Sequence, residues 1–247
     1  MRTITVIPTL ADNYTYLLEC DGEAVAIDPG EASPVLRQLR ETGSALLVVL
    51  LTHDHFDHAA GSDELVAKTG CELVGVPPVD DAGGATLHVG PFTVTVLSTP
   101  GHSEDSVCYY LPPLDGSPGA VFTGDTLFVG GCGRLFTRSP ETMWQSFLRL
   151  ASLPPDTGVY CGHDYALEDY EFAVTLEPGN ARVRERLAEI RALVESGRLT
   201  VPSTVALELA TNPFMRASDP ELKRVLGMEG APDVDVFAEL RRRKDRF

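Results

Sequence analysis

The sequence predicts an α+β fold in which a part containing both strands and helices, residues 1–164, precedes a helical C-terminal domain, residues 165–247. Three observations lead to this prediction. Short apolar segments of strand character alternate with helical segments as far as His163. Six consecutive aliphatic residues, Leu46 to Leu51, are typical of a strand buried on both faces. Beyond His163 the apolar residues recur with helical spacing.

The first elements follow from turn and capping residues. Residues 2–7, 14–19 and 24–28 are predicted strands, and Asp21-Gly22 predicts a hairpin turn between the second and third. Ser33-Pro34 predicts the N-cap and first residue of a helix that ends near Thr42. A second helix is expected from Gly61. The later elements are predicted strands at 85–89, 92–97, 107–111, 120–123 and 159–161, a proline-, aspartate- and glycine-rich loop at 77–84, a glycine-rich loop at 130–136, a helix capped by Ser139, and helices at 165–176, 180–196, 203–210, 219–227 and 233–244.

Composition limits the functional classes. The chain has 247 residues, 43% of them hydrophobic, and a net charge of -16, which argues against nucleic-acid and anionic-membrane partners. No apolar run approaches the ~20 residues of a membrane helix, and the N-terminus begins as a strand without the apolar segment of a signal peptide. The five cysteines are scattered and odd in number, so we expect free thiols. We therefore expect a cytoplasmic protein, and a monomer.

A polar segment directly after the buried strand predicts a metal site. It reads Thr52-His53-Asp54-His55-Phe56-Asp57-His58 and holds three of the six histidines in the chain. His53 and His55 lie two apart and can share one ion, whereas the adjacent Asp57 and His58 diverge and can serve a second. A single histidine here would most simply be a solvated polar residue. Three histidines with two carboxylates indicate two metals instead.

Three later candidates share one context, an apolar strand followed by a glycine and then a ligand-type residue. They are His102 after Gly101, Asp125 after Gly124 and His163 after Gly162. Glycine allows close backbone approach at a crowded site, and α/β sheets place their chemistry beyond the carboxyl ends of strands. The four strand ends could therefore converge on one crevice. His88 lies inside a predicted strand and is interpreted as an ordinary strand residue.

The seven candidates indicate metal-assisted hydrolysis. Imidazole and carboxylate ligands without cysteine suit Zn, Fe or Mn. Two such ions lower the pKa of a water between them towards ~7 and so supply hydroxide at neutral pH. The chain lacks a G-x-S-x-G elbow, a P-loop and a G-x-G-x-x-G motif after a strand. The residues alone leave open whether an ester, amide, thioester or phosphodiester is cleaved.

The last predicted helix ends in a basic segment, Arg241 to Arg246. Cations at a helix C-terminus complement the helix dipole, and this explanation suffices for the segment alone. In a strongly acidic chain, however, a local basic patch is also what an anionic substrate would need.

The polar segment resembles the T-H-x-H-x-D-H signature of the metallo-β-lactamase superfamily, and Pro100-Gly101-His102, Gly124-Asp125 and Gly162-His163 resemble its later ligand motifs. The resemblance implies a four-layer αβ/βα sandwich. It also implies the ligand sets, with His53, His55 and His102 on one metal, Asp57, His58 and His163 on the other, and Asp125 bridging the two. Asp57 is in addition a catalytic candidate that could orient the hydroxide.

Within the superfamily the whole chain resembles the glyoxalase II (hydroxyacylglutathione hydrolase) family. The most discriminating segments are Val201-Pro202-Ser203-Thr204 and Asn212-Pro213-Phe214-Met215-Arg216. The resemblance to this family implies hydrolysis of S-D-lactoylglutathione to D-lactate and glutathione, the second step of methylglyoxal detoxification. It also implies two bound divalent metal ions, which we expect to be zinc. Bridging hydroxide attacks the thioester carbonyl, and the thiolate leaves without a strong general acid.

The resemblance also implies glutathione contacts at Arg134, Tyr165, Arg241 and Lys244. Phe136 stands where some members carry a tyrosine that contacts glutathione. Thr137-Arg138 replaces a more usual Glu-Gly, and Asp164 replaces a common glutamate. These departures bear on the affinity for the thiol carrier or on its identity.

Three alternatives remain. A related thioesterase or lactonase shares the chemistry. A mononuclear-iron persulfide dioxygenase shares the fold and the first histidines, although its usual lack of a second metal site argues against it here. A non-catalytic metal-binding or interaction module would keep the scaffold alone, and the full set of ligands argues against that function.

Overall fold

A computed structural model describes residues 2–79, 84–137 and 139–247. Residues 80–83 of the predicted loop at 77–84, and Arg138, lie outside the described residues. The strands are β1 (Thr3–Thr9), β2 (Asn13–Cys20), β3 (Glu23–Ile27), β4 (Ala45–Leu50), β5 (Glu72–Gly75), β6 (Gly84–Val89), β7 (Phe92–Ser98), β8 (Val107–Leu111), β9 (Ala120–Gly124), β10 (Leu127–Phe128), β11 (Gly131–Cys132), β12 (Gly158–Cys161) and β13 (Ser203–Thr204).

Eleven of these strands form two mixed sheets, and β10 and β11 pair with each other as an antiparallel hairpin. The first sheet has the order β1-β2-β3-β4-β5 and the second the order β13-β12-β9-β8-β7-β6. The first three strands are antiparallel, as predicted, whereas β3, β4 and β5 run parallel. In the second sheet β9 and β12 are parallel. The strands β4, β9 and β12 each end just before a candidate metal ligand. The order and direction of the strands in the sheets therefore determine which of these candidates lie close to one another.

Alternating side chains of each strand face different layers. Val48 and Leu50 of β4 share a buried cluster with Phe122 of β9, so this cluster lies between the sheets. On the outer face of the first sheet, Val49 packs with helix residues near the N-terminus. On the outer face of the second sheet, Val121 packs with helix residues from the later chain. This helix, sheet, sheet, helix arrangement is the αβ/βα sandwich that the resemblance implied.

The helices follow the predicted pattern with three differences. Their bounds are α1 (Ala32–Thr42), α2 (Phe56–Ala59), α3 (Ser62–Thr69), α4 (Pro140–Ala151), α5 (Ala166–Leu176), α6 (Ala181–Glu195), α7 (Val205–Thr211), α8 (Pro220–Leu226) and α9 (Asp233–Lys244). The N-cap of α1 is Glu31 and not Ser33, so Pro34 lies within the first turn, where no intrahelical N–H bond is required. The short helix α2 within the predicted polar loop was missed. Ser203 and Thr204 form β13 before α7 begins.

The helices after residue 165 pack on the sandwich. Tyr170, Val183 and Ile190 belong to the same buried cluster as the inner faces of the two sheets. Phe214 and Phe237 pack with Phe147 of α4 against the outer face of the second sheet. The helices of residues 165–247 are thus held by the apolar surface that also holds the sheets. Among the described residues, no helix combines the length and the apolar character that crossing a membrane requires.

A buried ion pair joins two turns of this helical part. Arg216 Nη1 lies 2.5 Å from Glu177 Oε2, and Arg216 Nη2 donates to Glu177 Oε1 at 3.0 Å. Both side chains are buried. Losing one partner would leave the other charge uncompensated inside the protein, which is a costly state.

We therefore predict that Arg216→Ala lowers the free energy of unfolding by ~3–5 kcal/mol. Arg191→Ala is the matched control, because Arg191 pairs with Glu171 on the surface and such pairs contribute less than ~1 kcal/mol. Urea titrations of the two variants measure the difference. Equal losses would contradict the importance of the buried pair.

Candidate metal centre

The structure brings all seven predicted ligands into one buried crevice. Their ligand atoms form three groups in which every atom lies within 4.8 Å of the others. The groups are His53, His55 and His102; His53, His58 and Asp125; and Asp57, His58 and His163. The first group and the third group contain the same residues as the two ligand sets that the resemblance implied. The second group contains Asp125 together with one histidine from each of the other two groups. His88 is exposed on β6 beside Thr93 and is in none of the groups.

The separations between ligand atoms match those around a small cation. His55 Nδ1 and His102 Nε2 are 3.0 Å apart, and His58 Nε2 and His163 Nε2 are 3.3 Å apart. Asp125 Oδ2 lies 3.5 Å from His102 Nε2 and 3.4 Å from His163 Nε2. Ligands at ~2.0–2.1 Å from a tetrahedral zinc are roughly 3.3 Å from one another. The residues present therefore fit a pair of divalent ions.

Hydrogen bonds on the far side of each ring fix which nitrogen faces the centre. Nδ1 of His58 donates to Asp28 Oδ2 at 3.0 Å, and Nδ1 of His163 donates to Asp12 Oδ1 at 2.8 Å. Nδ1 of His102 donates to the Arg134 carbonyl at 3.0 Å. In a neutral imidazole with Nδ1 protonated, Nε2 carries a lone pair. In their neutral form these three rings thus direct Nε2 lone pairs into the crevice.

The ring of His53 gives the clearest sign that these residues suit a cation. Thr52 Oγ1 donates to Asp28 Oδ2 at 2.6 Å, so its lone pair accepts from Nδ1 of His53 at 3.1 Å. This leaves Nε2 of His53 as an acceptor, and it is buried without a hydrogen-bond partner. Asp125 Oδ1 is likewise buried, and it lies 3.3 Å from His58 Nε2, another candidate ligand atom. Buried acceptors that lack partners are costly unless a ligand satisfies them.

Two of the predicted glycines are required by crowding. A Cβ on Gly124, which has φ +48°, would overlap the side chain of Thr52. A Cβ on Gly162 would overlap Asp125 Oδ1 and the ring of His58. Glycine at these strand ends therefore lets Asp125 and His163 approach the first histidine segment.

The electrostatics of the centre are those of an anionic site that needs positive charge. Burial opposes a charged imidazole, yet hydrogen bonds to Asp125 and Asp28 raise the pKa of His58 to about 11. Burial also opposes ionisation of Asp125, yet His163 and His58 hold its pKa well below the usual range. Burial lowers the pKa of His53 to about 4, which keeps its ring neutral. The carboxylates of the centre therefore attract positive charge.

Asp57 lies at the accessible side of this cluster. Its Oδ2 is 3.3 Å from His163 Nε2 and accepts a hydrogen bond from Asn13 Nδ2 at 3.0 Å. Burial would raise the pKa of Asp57, but this hydrogen bond and the nearby histidines lower it. A partly exposed carboxylate that is ionised at neutral pH can bind a metal or accept a proton from water.

A cavity of about 930 Å³ adjoins the ligands. Besides His55, Asp57, His102, Asp125 and His163, it is lined by all five predicted substrate contacts, Arg134, Phe136, Tyr165, Arg241 and Lys244. The ring of Tyr165 stacks on His163 with centroids 4.8 Å apart. Phe136 is 60% exposed and meets the rings of His55 and His102 edge-on. Asp164, which replaces a common glutamate of the family, does not line the cavity and accepts a hydrogen bond from Thr200.

The two cations of α9 that line the cavity are already paired with carboxylates. Arg241 Nη2 lies 2.8 Å from Asp245 Oδ1. Lys244 Nζ lies 2.5 Å from Glu168 Oε1 and 3.1 Å from Asp169 Oδ1. The basic segment is therefore not a patch of free positive charge. An anionic ligand would have to share these cations with the protein's own carboxylates.

Sequence reasoning missed Asp12, Asp28 and Asn13, which orient the ligands. Asp28 is the most heavily used, because Oδ1 accepts from Thr52 N at 2.7 Å while Oδ2 accepts from Thr52 Oγ1 and His58 Nδ1. It is buried and has φ +52°, an uncommon conformation for a residue with a side chain. That backbone strain is a structural sign of a constrained role, and the sequence showed only a break at Asp28-Pro29-Gly30.

We predict that Asp28→Asn weakens metal binding by ~10–100-fold, the usual cost of losing a residue that orients a ligand. Asparagine offers one acceptor oxygen where the structure uses two, so His58 loses the partner that fixes its tautomer. Competition with a chromogenic chelator measures the affinity. Asp63→Asn, an exposed change in the first turn of α3, is the control. An unchanged affinity in Asp28→Asn would show that Asp28 does not orient His58.

Comparisons with known proteins agree with this geometry. The sequence model of the metallo-beta-lactamase superfamily matches residues 9–93 and 72–163, and the model of the hydroxyacylglutathione hydrolase C-terminus matches residues 164–247. Among solved structures, ETHE1 from Myxococcus xanthus is 27% identical with a TM-score of 0.65, over 98% of this chain and 90% of that one. A protein solved in a di-iron-bound form is 27% identical with a TM-score of 0.58, over 86% of this chain and 99% of that one.

Curated relatives match over nearly their whole length. The hydroxyacylglutathione hydrolase of Methylococcus capsulatus is 46% identical, over 100% of this chain and 99% of that protein. The hydroxyacylglutathione hydrolase of Brucella anthropi is 44% identical, over 96% of this chain and 94% of that protein. With this likeness in sequence, and with the ligand cluster in the crevice of an αβ/βα sandwich, the chain belongs to the hydroxyacylglutathione hydrolase family of the metallo-beta-lactamase superfamily.

Proposed function

We propose that the chain hydrolyses the thioester S-D-lactoylglutathione to D-lactate and glutathione. The observation that carries the proposal is the cluster of seven candidate metal ligands, five of which line a cavity that is also lined by Tyr165, Arg241 and Lys244. The relatives named hydroxyacylglutathione hydrolase, at 42–46% identity, support the same substrate class. The activity would serve the second step of methylglyoxal detoxification, in the cytoplasm. The free state of the five cysteines is consistent with a reducing compartment.

The residues divide between two divalent ions. We propose that His53, His55 and His102 hold one, that Asp57, His58 and His163 hold the other, and that Asp125 lies between them. Zinc is the metal that suits this set best, and iron or manganese also accept imidazole and carboxylate ligands. When bound, the pair supplies Lewis acidity and activates water at neutral pH. Metal analysis of the protein as isolated tests the identity.

The protein's own groups supply orientation. Asp12, Asp28 and the Arg134 carbonyl hold three histidine rings by their Nδ1 atoms, so these rings need little rearrangement. In this proposal Asp57, whose pKa is lowered by the hydrogen bond from Asn13 and by the nearby histidines, accepts a proton from the attacking water. Hydrolysis adds water across the acyl–sulfur bond, and the thiol leaves as a stable thiolate. No side chain is therefore required as a strong general acid.

The cavity wall binds the thiol carrier in this proposal. Tyr165 and Phe136 flank the ligand rings, and Arg134, Arg241 and Lys244 provide cations for the carboxylates of glutathione. Phe136 has no hydroxyl to donate, so its contribution is apolar contact. Because Arg241 and Lys244 are shared with Asp245, Glu168 and Asp169, we propose that carrier affinity depends on the charge of these carboxylates.

We predict rapid turnover of S-D-lactoylglutathione and little turnover of a lactone panel by the metal-loaded protein. His58→Ala should reduce thioester hydrolysis to the buffer rate because it removes a ligand of one ion, and metal analysis should find fewer ions per chain. His88→Ala, outside the cluster, is the control. Faster lactone cleavage would favour a lactonase. Oxygen uptake with glutathione persulfide would favour a dioxygenase, and bound metal without hydrolysis of any thioester would favour a binding module.

A second prediction concerns pH. Burial raises the pKa of Asp169 to about 7, against the opposing effect of Lys244 and Arg241. At pH 6 Asp169 is mostly neutral and Lys244 is balanced by Glu168 alone, whereas at pH 8 Asp169 is anionic and competes with the substrate carboxylate. KM for S-D-lactoylglutathione should therefore rise roughly two- to fivefold between pH 6 and pH 8, the scale of an ion pair of ~0.5–1 kcal/mol.

Asp169→Asn should lose this rise, since asparagine stays neutral throughout. Glu171→Gln, on the same helix but paired with Arg191 on the surface, should keep it. The measurement is KM at intervals across the pH range, with kcat recorded separately. A wild-type KM that falls towards pH 8 would contradict the assignment of Lys244 to the carrier.

A further inference from the structure

The hairpin of β10 and β11 joins two parts of the metal centre. It begins just after Asp125 and ends just before Arg134, whose carbonyl accepts the hydrogen bond from Nδ1 of His102. Phe128 of β10 packs edge-on against the rings of His163 and Tyr165. The position of this hairpin therefore affects ligands assigned to both ions.

The turn of the hairpin is held by a buried carboxylate from the helical part. Glu208 of α7 has no exposed surface. Its Oε2 accepts from the backbone N–H of Gly130 at 2.9 Å and from Asn212 Nδ2 at 2.9 Å. Its Oε1 accepts from the hydroxyl of Ser203 at 2.5 Å. Both carboxylate oxygens are thus bonded, and one of them is bonded directly to the hairpin.

Asn212 completes the attachment. Its Nδ2 also donates to the carbonyl of Gly131 at 3.0 Å and to that of Phe128 at 3.3 Å, while its Oδ1 accepts from Phe214 N at 2.9 Å. Glu208 and Asn212 therefore bond to backbone groups of both strands and of the turn between them, and Ser203 holds Glu208 from its other oxygen. These three residues are here called the hairpin clamp. Ser203 and Asn212 come from the two segments that the sequence singled out in the helical part and that neither metal binding nor carrier binding explains.

Close packing prevents the hairpin from shifting by itself. A Cβ on Gly130 would overlap the ring of Tyr170, and a Cβ on Gly133 would overlap the carbonyl of Asp125. Gly133 N also donates to the carbonyl of Thr126 at 3.2 Å. A displacement at the turn would consequently be transmitted to Asp125 and, through Arg134, to His102.

We propose that Glu208 and Asn212 are positioning residues for the metal centre, which hold the β10–β11 hairpin so that Asp125 and His102 keep their orientation toward the ions. The helical part then shapes the metal site as well as the carrier cavity. This inference rests on the proposed function because it concerns the same metal centre. Its spectroscopic test needs no substrate.

The test uses the full-length protein with Co²⁺ in place of the native ions, because Co²⁺ absorption reports ligand geometry directly. Glu208→Ala leaves the N–H of Gly130 without an acceptor inside the protein. We expect a changed Co²⁺ spectrum, at least tenfold weaker Co²⁺ binding in chelator competition, and a kcat at least tenfold lower with KM changed less than threefold. Glu208→Gln keeps an oxygen for Gly130 and should restore the wild-type spectrum.

Glu177→Ala is the matched control, since it also removes a buried glutamate of the helical part but one that bonds to Arg216, away from the hairpin. It should lower the melting temperature while the Co²⁺ spectrum and kcat stay at the wild-type values. If Glu208→Ala does not fold, Asn212→Ala carries the test, because it removes two hairpin bonds and leaves the carboxylate in place.

The inference is overturned if Glu208→Ala or Asn212→Ala lowers the melting temperature but keeps the wild-type Co²⁺ spectrum and affinity, as Glu177→Ala should. It is also overturned if Glu177→Ala changes the spectrum equally, since the effect would then be general destabilisation. Absence of thioesterase activity in the wild-type protein would contradict the proposed function and leave the spectroscopic result intact, so the two failures are distinguishable.

Discussion

The structure depends on the burial of imidazole and carboxylate groups that face one another within 3.0–3.5 Å. Such an arrangement is unfavourable by itself, because buried acceptors such as His53 Nε2 lack donors. Divalent ions would satisfy these lone pairs and would also offset the charge of the carboxylates. The rest of the fold can be understood as support for this cluster, since the strand ends deliver its members and the surrounding residues hold their orientation.

That support comes from several distant parts of the chain. Asp12 and Asp28, at the ends of early strands, fix the rings of His163 and His58. The β10–β11 hairpin fixes His102 through the Arg134 carbonyl, and residues beyond 200 bond to the hairpin in turn. The later helices also carry the cations of the cavity. Because these cations are paired with carboxylates, an anionic ligand in the cavity would have to compete with those carboxylates for them.

Much of the site could be predicted from local sequence. The segment from His53 to His58 concentrates ligand types after an apolar run, and a glycine before His102, Asp125 and His163 repeats one context. Asp28 could not be assigned because its role requires β3 to lie beside β4, and Glu208 could not because its partner is 78 residues away. The four residues of α2 are too few for helical periodicity. Ser33-Pro34 misplaced a helix start because proline is accepted throughout the first turn.

The measurement that tests the central claim most directly is the location of bound metal by anomalous X-ray scattering from crystals of the zinc-loaded protein. We expect two anomalous peaks per chain. One should lie among His53, His55 and His102 and the other among Asp57, His58 and His163, with Asp125 between them. A single peak, or metal bound away from these seven side chains, would contradict this expectation.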